Sequence, residues 1–486
     1  MEDELITTRR AKLQRLAERG LRPYPDGYPT THTVREAVQL PDGAEVSLAG
    51  RLMSRRSFGK LVFGHVQDRS GRGQISFKQQ GSTPDAWWLQ ENVFDMGDLV
   101  GVTGTMWTTK TGERTLDVRE AALLSKAIRP MPEKWHGLKD VEQRYRQRYL
   151  DLISNEETRA RFLARARVIT LIRSFLDQHG FLEVETPILQ AASSGAAARP
   201  FITHHNALDM DLYLRISPET YLKRLVVGGF ERVYEIGRNF RNEGLDASHL
   251  QEFTMLEWYA GYWNYRDNMQ FVRALIQHVI RELHGTTTIT YEGVELDFGG
   301  EWAEVSYRDA LLHETGIDIL ALSTHEELAA AVRQRVPELN PAQYPSFPAL
   351  VDALYKRTVR PKLVQPTFLL HHPTELVPLA RRNDDNPRIL DMFQVVVNSW
   401  EIVKAYSELV DPQDQRQRML EQLEYREQGD DETMMLEDDY IECMEYGMPP
   451  NSGLGLGIDR FVALLTNAST LRDVVLFPNM RALPPQ

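Results

Sequence analysis

The sequence predicts an α+β protein: a small β-barrel, then a larger domain whose mainly antiparallel sheet is flanked by helices. Three observations point there. From Val46 to about Leu124, short stretches of alternating apolar and polar residues are separated by Gly and Asp turns. From about residue 154 onward, hairpin-like strand segments mix with long amphipathic helical patterns. That second region lacks the regular strand–helix alternation of a parallel sheet.

The elements follow in order. "EDELITTRRAKLQRLAERG" reads as an amphipathic helix ended by Gly20, and Pro23, Pro25 and Pro29 make the next segment a stiff linker, giving a first region of 1–44. "VSLAGRLMSRR", "LVFGHVQD", "GQISFKQ", "DLVGVTGTMWTT" and "RTLDVREAALL" read as five strands, interrupted by one helical stretch, "PDAWWLQEN". Five short strands with one helix suggest a barrel of the OB type over 45–128. A basic, aromatic connector covers 129–153, and the larger domain runs over 154–486. There "RARVITLIRSFLDQHGFLEVETPIL" reads as a long helix capped near Gly180 and a strand that Pro187 ends. "LYLRI", "RVYEIGRNF" and "EFTMLEWYAGY" read as hairpin strands, and "YRDNMQFVRALIQHVIRELHG" as a helix. Short repeats and low-complexity tracts are absent from the sequence.

Composition narrows the function. A chain of 486 residues with 42% hydrophobic content can build two or three ordinary cores. No apolar run reaches membrane-spanning length, and "MEDELITTRR" is too charged for a secretory signal. One cysteine, Cys443, excludes an internal disulfide framework and a cysteine-based zinc cluster, so a cytoplasmic, reducing location is expected. The net charge of -13 argues against a general nucleic-acid coater. The charge is uneven, however: residues 1–150 carry 24 Lys and Arg against 19 Asp and Glu. A mildly basic front on an acidic body suits a front that touches a phosphate backbone, although solvated faces of either sign are common.

Chemistry concentrates in two places. "RNFRNEGLDASHLQEFTMLE", Arg238 to Glu257, sets Arg241, Glu243 and His249 around a Gly244-Leu245-Asp246 turn, more charge than a hairpin needs. "GLGLGIDR", Gly453 to Arg460, has glycines at every second position, and so matches neither a P-loop nor a dinucleotide fingerprint. Alone it reads equally as a glycine strand under a crowded backbone. With Arg460 directly after it, the same strand lets a ligand approach the sheet and pairs its phosphate at the edge.

The helix and strand ending at Pro187, the "FRNE" hairpin at 240–243 followed by "EFTMLE", and GxGxGxxR at 453–460 resemble, in order and spacing, the three motifs of class II aminoacyl-tRNA synthetases. These motifs span about 165–187, 231–259 and 453–477. The text around them, including "SPETYLKRLVVGGFERVYEIGRNFRNEG", "YSELVDPQDQR" and "EYGMPPNSGLGLGIDRFVALLT", resembles the lysyl-tRNA synthetases of that class, and the likeness extends into "AGRLMSRRSFGK" and "KWHGLKDVEQRYRQRYLDLI" at the front. The resemblance implies an OB-fold anticodon-binding domain before a class II catalytic domain, acting as a homodimer on ATP, L-lysine and tRNA(Lys), with Mg²⁺ and without a membrane.

It also implies roles. Arg241 contacts the α-phosphate and the amino-acid carboxylate, and Glu243 holds the adenine amino group. His249 lies by the β- and γ-phosphates, Phe253 stacks on adenine, and Arg460 lies near the γ-phosphate. Glu408 takes the lysine ε-ammonium with the Tyr259 hydroxyl, Glu219 and the Gly195 backbone hold the α-amino group, and Tyr406 flanks the aliphatic stem. Glu401 is an Mg²⁺ ligand. In the barrel, Phe63 stacks an anticodon base with Arg56, Gln74 and Glu113 nearby. Read without the resemblance, Glu408 is a surface carboxylate and Phe63 fits barrel core as well as a stacking platform.

Four positions depart from the pattern. Lys404 stands in place of Asn near the substrate carboxylate, and Gln394 in place of a second, Glu-type Mg²⁺ ligand. Leu250-Gln251 replace Asn-Pro after His249, and Ser194 replaces a glycine beside Gly195. They bear on efficiency and metal count more than on reaction type. Two other readings share the residues: a paralogue of the same fold with a changed amino acid or acceptor, and a non-catalytic tRNA-binding protein.

Overall fold

The computed structural model describes residues 2–131, 138, 140–192, 195–196, 198–244, 246–427 and 434–482. Ser194, Leu245 and most of "PEKWHGLK" in the expected connector lie outside the described residues. The chain divides into two compact units, Met1–Asp140 and Val141–Gln486.

The first unit opens with helix α1 (Glu2–Glu18), after which Gly20 takes a positive φ of 71° and turns the chain. The short α2 (Val34–Ala37) starts at Thr33 and Glu36, which satisfy each other's backbone amides in a capping box. Strands β1 (Glu45–Ser57), β2 (Leu61–Gln67), β3 (Arg72–Lys78), β4 (Leu99–Thr108) and β5 (Arg114–Ser125) close into a barrel in the order β1-β2-β3-β5-β4. Helix α3 (Pro84–Asn92), capped by Thr83, leads into β4. Alternation decides which side chains fill the barrel. On β2, Val62 and Val66 are buried among Leu48, Ile75, Val100 and Leu116, while Phe63 and His65 point the other way.

The second unit begins with α4 (Val141–Arg146), α5 (Arg148–Ser154) and the long α6 (Glu156–Gln178). The expected strand before Pro187 shrinks to β6 (Leu182–Glu183), which pairs in parallel with Val233 and Tyr234 and forms an edge of the main sheet. β7 (Leu189–Gln190), β8 (Phe201–His205) and β9 (Met210–Leu214) form a separate small sheet, so "LYLRI" lies outside the main one. Then follow α7 (Glu219–Val227), β10 (Arg232–Phe240), β11 (Glu252–Gly261), α8 (Tyr265–His284), the hairpin β12 (Thr288–Tyr291) and β13 (Val294–Asp297), and β14 (Ala303–Ser306). Helices α9 (Tyr307–Thr315), α10 (His325–Arg335) and α11 (Phe347–Thr358) form an insertion with a core of its own, which the sequence reading did not isolate. β15 (Thr367–Leu370), β16 (Met392–Val397), β17 (Trp400–Ser407), α12 (Pro412–Glu427), α13 (Asp438–Glu445), β18 (Asn451–Gly457) and α14 (Ile458–Leu465) complete the unit.

Eight strands make the main sheet, in the order β14-β15-β16-β17-β18-β11-β10-β6, with antiparallel pairs from β15 through β10. One face is sealed. Leu256, Trp258, Val403, Ala405, Leu454 and Leu456 point into a core shared with α6, α8 and α14. Helix α8 reads its apolar face at helical spacing, with Met269, Val272, Leu275, Ile276, Val279 and Ile280 all buried. Its Asn268 accepts the Trp258 indole N–H at 2.8 Å, so the one polar group of that ring is satisfied under the sheet. The opposite face of β11, β18 and β17 carries the site.

Candidate active site

Because side chains alternate along a strand, Phe253, Met255, Glu257 and Tyr259 of β11 face the same way. Across the ladder, Met255, Glu257 and Tyr259 stand opposite Gly457, Gly455 and Gly453. On the other side Gly455 and Gly453 stand opposite Lys404 and Tyr406 of β17. The glycine strand is thus the floor of a cavity of about 280 Å³, walled by charged side chains of its neighbours. At Gly453 the absence of a side chain is obligatory, since a Cβ there would overlap the Tyr259 ring and the Glu408 carboxylate.

One end of the cavity is cationic. Arg241 follows directly on β10, where its backbone N–H donates to Gln251 O at 2.8 Å and extends the hairpin. Its guanidinium lies over the Phe253 ring, 5.1 Å from the centroid, which fixes the cation at the cavity wall. Arg460 sits in the first turn of α14, immediately after the glycine strand, and donates to the backbone carbonyl of Glu401 at 2.8 Å. Its second nitrogen lies 3.2 Å from His249 Nε2, while His249 Nδ1 is held by Asp246 at 2.9 Å. An arginine can only donate, so His249 accepts on Nε2 and gives its Nδ1 proton to Asp246. Asp459, next in the same turn, accepts from the Thr254 N–H at 2.8 Å and pairs with Arg165 at 2.6 Å, tying α14 to β11 and α6. The unusual Leu250-Gln251 pair has a local explanation. Leu250 is buried in the main core, and Gln251 closes the loop by accepting from Arg241 and donating to the Glu243 carbonyl at 3.2 Å.

The other end is acidic. Glu219, in the first turn of α7, accepts the Tyr406 hydroxyl at 2.7 Å and pairs with Lys223 one turn later at 2.6 Å. Lys223 also pairs with Glu408. Glu257 accepts from Ser217 at 2.8 Å and from the Tyr259 hydroxyl at 3.2 Å. Tyr259 is therefore bonded to Glu257, rather than free beside Glu408. Burial and the neighbouring Glu219 push the Glu257 carboxyl up to about 8, although Ser217, Tyr259 and Arg241 pull it back. Gly195, with φ of 86°, packs against Glu219 and Ser217. Glu257, Lys223 and Ser217 were missed by the sequence reading. The Glu219–Lys223 spacing is an ordinary helical ion pair on paper, and Glu257 is only the last acid of a strand.

Lys404 and Gln394 need separate treatment. They are cross-strand partners, and Lys404 lines both this cavity and an adjoining chamber of about 950 Å³, while Gln394 lines only the latter. The Gln394 amide donates to Glu401 Oε2 at 2.9 Å. Among the described residues no group of three or more His, Cys, Asp or Glu side chains is arranged to hold a metal. Glu401 offers a hard carboxylate, which fits one Mg²⁺ whose other ligands are phosphate oxygens and water. A second ion between residues 394 and 401 does not fit, because the amide turns its N–H toward the carboxylate and a lysine cation stands beside it. Burial lowers the pKa of Lys404, with Glu401 and Glu219 pulling the other way. Its neighbour His372 is pushed down to about 3 by burial and is neutral.

On the barrel, Phe63 faces outward and is not core. It stands opposite Arg56 on β1 and Ser76 on β3, with Phe58 edge-on at 6.3 Å. Gln74 follows along β3 and accepts from Thr115 at 2.7 Å, and Glu113 is exposed at the β4–β5 turn. Two further residues join this face. The Lys78 ammonium lies 4.1 Å from the Trp107 ring centre, and Trp107 donates to Ser76. Phe58 is exposed and Phe63 and Trp107 are half-buried, so aromatic rings lie among Arg and Lys side chains, an arrangement on which bases can stack.

Comparison with known proteins agrees with both units. Residues 140–481 match the family model of tRNA synthetases class II (D, K and N), and residues 46–124 that of the OB-fold nucleic acid binding domain. The chain is similar to a lysine–tRNA ligase of Pelotomaculum thermopropionicum, 48% identical over 99% of this chain and 95% of the relative. Lysine–tRNA ligases of Carboxydothermus hydrogenoformans and Moorella thermoacetica are 47% and 46% identical, each over 99% of this chain and 98% of the relative. With a glycine-floored cavity, cationic at one end and acidic at the other, the chain belongs to the class II tRNA synthetases of the D, K and N group, and within them to the lysine–tRNA ligase family.

Proposed function

We propose that the protein activates L-lysine with ATP and transfers it to the 3′ end of tRNA(Lys). The observation that carries this reading is the acidic end of the cavity, where Glu219 and Glu257 line a space walled by Tyr259 and Tyr406, with the Glu408 carboxylate buried directly behind it against Gly453. A buried ammonium is costly without partners, and a substrate with two of them needs such a cage. In the first step a lysine carboxylate oxygen attacks the α-phosphorus of ATP, and the bond to pyrophosphate breaks. Arg241 stands between the two anions and Arg460 holds the outer phosphates, so the enzyme contributes alignment and charge stabilisation and no covalent nucleophile. Phe253 stacks on the adenine, and Glu243 accepts its amino group. Glu401 would hold the Mg²⁺ that accompanies ATP, and that ion would neutralise phosphate charge. In the second step the 3′-hydroxyl of the terminal adenosine attacks the lysyl carbonyl and AMP leaves.

Lys404, facing Gly455 across the ladder, adds a cation for the substrate carboxylate. The barrel face around Phe63, Arg56, Gln74 and Glu113 takes the anticodon. We also read the protein as a cytoplasmic homodimer. Leu163 on α6 and Leu182, Ile188 and Leu189 after it are exposed apolar side chains, which suit a subunit interface. Light scattering on the purified protein tests that assembly. The activity is tested by lysine-dependent ATP–pyrophosphate exchange, with ornithine, arginine and aspartate run beside lysine. Strong exchange with lysine alone supports the reading. Exchange with another amino acid points to the altered-substrate paralogue, and none with any of them to a non-catalytic tRNA-binding protein.

A further inference from the structure

Lys223 is a buried cation that the reaction steps do not use. Its ammonium is inaccessible to solvent and lies between two carboxylates, Glu219 of its own helix at 2.6 Å and Glu408 just beyond β17. Three tyrosine rings enclose it: Tyr406 of β17 at 5.6 Å, Tyr259 of β11 at 5.9 Å and Tyr440 of α13 at 5.9 Å. Glu437, ahead of α13, is taken up by Arg224, and Glu257 is bonded to Ser217 and Tyr259. Among the described residues Lys223 is the one cation paired with Glu408.

Glu408 is fully buried beneath the Gly453 backbone. Burial pushes the Glu408 carboxyl well up, Lys223 pulls it back toward the charged form and Glu219 adds to the rise, so the ammonium of Lys223 is what opposes protonation of a group that must be charged to bind an ammonium. Charge bookkeeping gives the same result. Once bound lysine has drawn the proton off Glu257, ionised Glu219, Glu257 and Glu408 with Lys223 leave two negative charges, which matches the α- and ε-ammonium groups of lysine. Without Lys223 the cage would carry three.

We propose that Lys223 is a specificity-determining positioning residue, whose clamped ammonium keeps the Glu408 carboxylate charged and aimed for the ε-ammonium of the substrate. Lys223 engages Glu408 Oε2 and leaves Oε1, which lies against Gly453, for the ligand. The inference rests on the lysine-activating reading above, and the test separates the two.

The experiment is pyrophosphate exchange with the full chain as wild type, K223M, K223R, E408Q and the K223M/E408Q double variant, over a range of pH. Lysine-selective exchange by the wild type is the condition of the parent reading, and its absence sinks that reading before any variant is compared. Given it, K223M should raise KM for lysine by at least about 30-fold at neutral pH, the scale for stripping one partner from a buried charge pair. KM for ATP should stay within about twofold, which also reports that the fold is intact. The KM defect should shrink as pH rises and Glu408 ionises unaided, and preference for lysine over norleucine, its uncharged analogue, should fall. K223R, which keeps the charge, should recover part of the loss. In the E408Q background K223M should add little further to KM, because Lys223 acts through Glu408. A K223M enzyme with unchanged lysine KM and pH profile overturns the inference, as does a defect fully additive with E408Q. If K223M does not fold, the K223R pH profile decides alone: a profile and lysine preference matching wild type support the charge role, and a wild-type-like profile with lost preference refutes it.

Discussion

Lysine binding should expel a proton, and Glu257 is its source. In the free protein burial and Glu219 hold this carboxyl up at about 8, against an ordinary 4.5. At pH 7 roughly a tenth of it is then ionised. A bound ammonium beside Glu219 and Glu257 favours the charged form and draws the pKa back down. The free protein therefore carries a proton that the complex lacks, so affinity must increase with pH. The dissociation constant for lysine should fall by nearly tenfold per pH unit from about pH 6 to pH 7 and level off above about pH 8. Stability takes the opposite sign. A carboxyl whose folded pKa exceeds its unfolded value takes up a proton on folding, so Glu257 costs the free protein stability increasingly from about pH 4.5 to about pH 8. Isothermal titration calorimetry of lysine at pH 7, in buffers of different ionisation enthalpy, counts the protons directly, and close to one should be released. E257Q should abolish that release and flatten the pH dependence. A wild-type protein that binds lysine with no proton release and a constant affinity over this range would refute the assignment.

Three further outcomes follow from the same geometry. R241A should lower kcat/KM in exchange by roughly 100- to 1,000-fold, the scale for losing one preorganised charge at a developing anion; steady-state kinetics with ATP and lysine varied separately checks it. Because Gln394 gives an N–H to Glu401 and Lys404 stands beside it, paramagnetic resonance with Mn²⁺ and a non-hydrolysable ATP analogue should count one tightly bound ion per site, and more in a Q394E/K404N variant. F63A should weaken tRNA binding by about 1–3 kcal/mol, read by filter binding at fixed salt, if a base stacks on that ring.

The periodic parts of the molecule were readable in one dimension. Period-two alternation from Val46 to Leu124 marked all five barrel strands, and the 3.6-residue spacing of Val272, Ile276 and Val279 marked α8. Local chemistry also marked the Arg241 hairpin, which carries more charge than a turn needs, whereas the glycine strand reads equally as a structural feature until Arg460 and the other motifs are set beside it. The helical insertion from Tyr307 to Thr358 was not separable, since its apolar residues follow the same period as any other helix and only packing assigns them to a different core.

What the sequence alone determined, then, was the barrel, the β10–β11 hairpin and the glycine strand that leads into Arg460, each encoded by neighbours within a few positions. Only the tertiary structure decided which carboxylates are buried. Glu219, Glu257 and Glu408 come from a helix, a strand and the segment after another strand, and Lys223 from a helix turn that looks solvated on paper. Their burial, and with it the shifted protonation of Glu257, arises because α7, α13 and the glycine strand close over them. Register made the parallel decision on the barrel, where Phe63 pairs with Arg56 on the face opposite the buried Val62 and so lies outside. Burial is a property of several segments at once, and it sets the electrostatics that the chemistry needs.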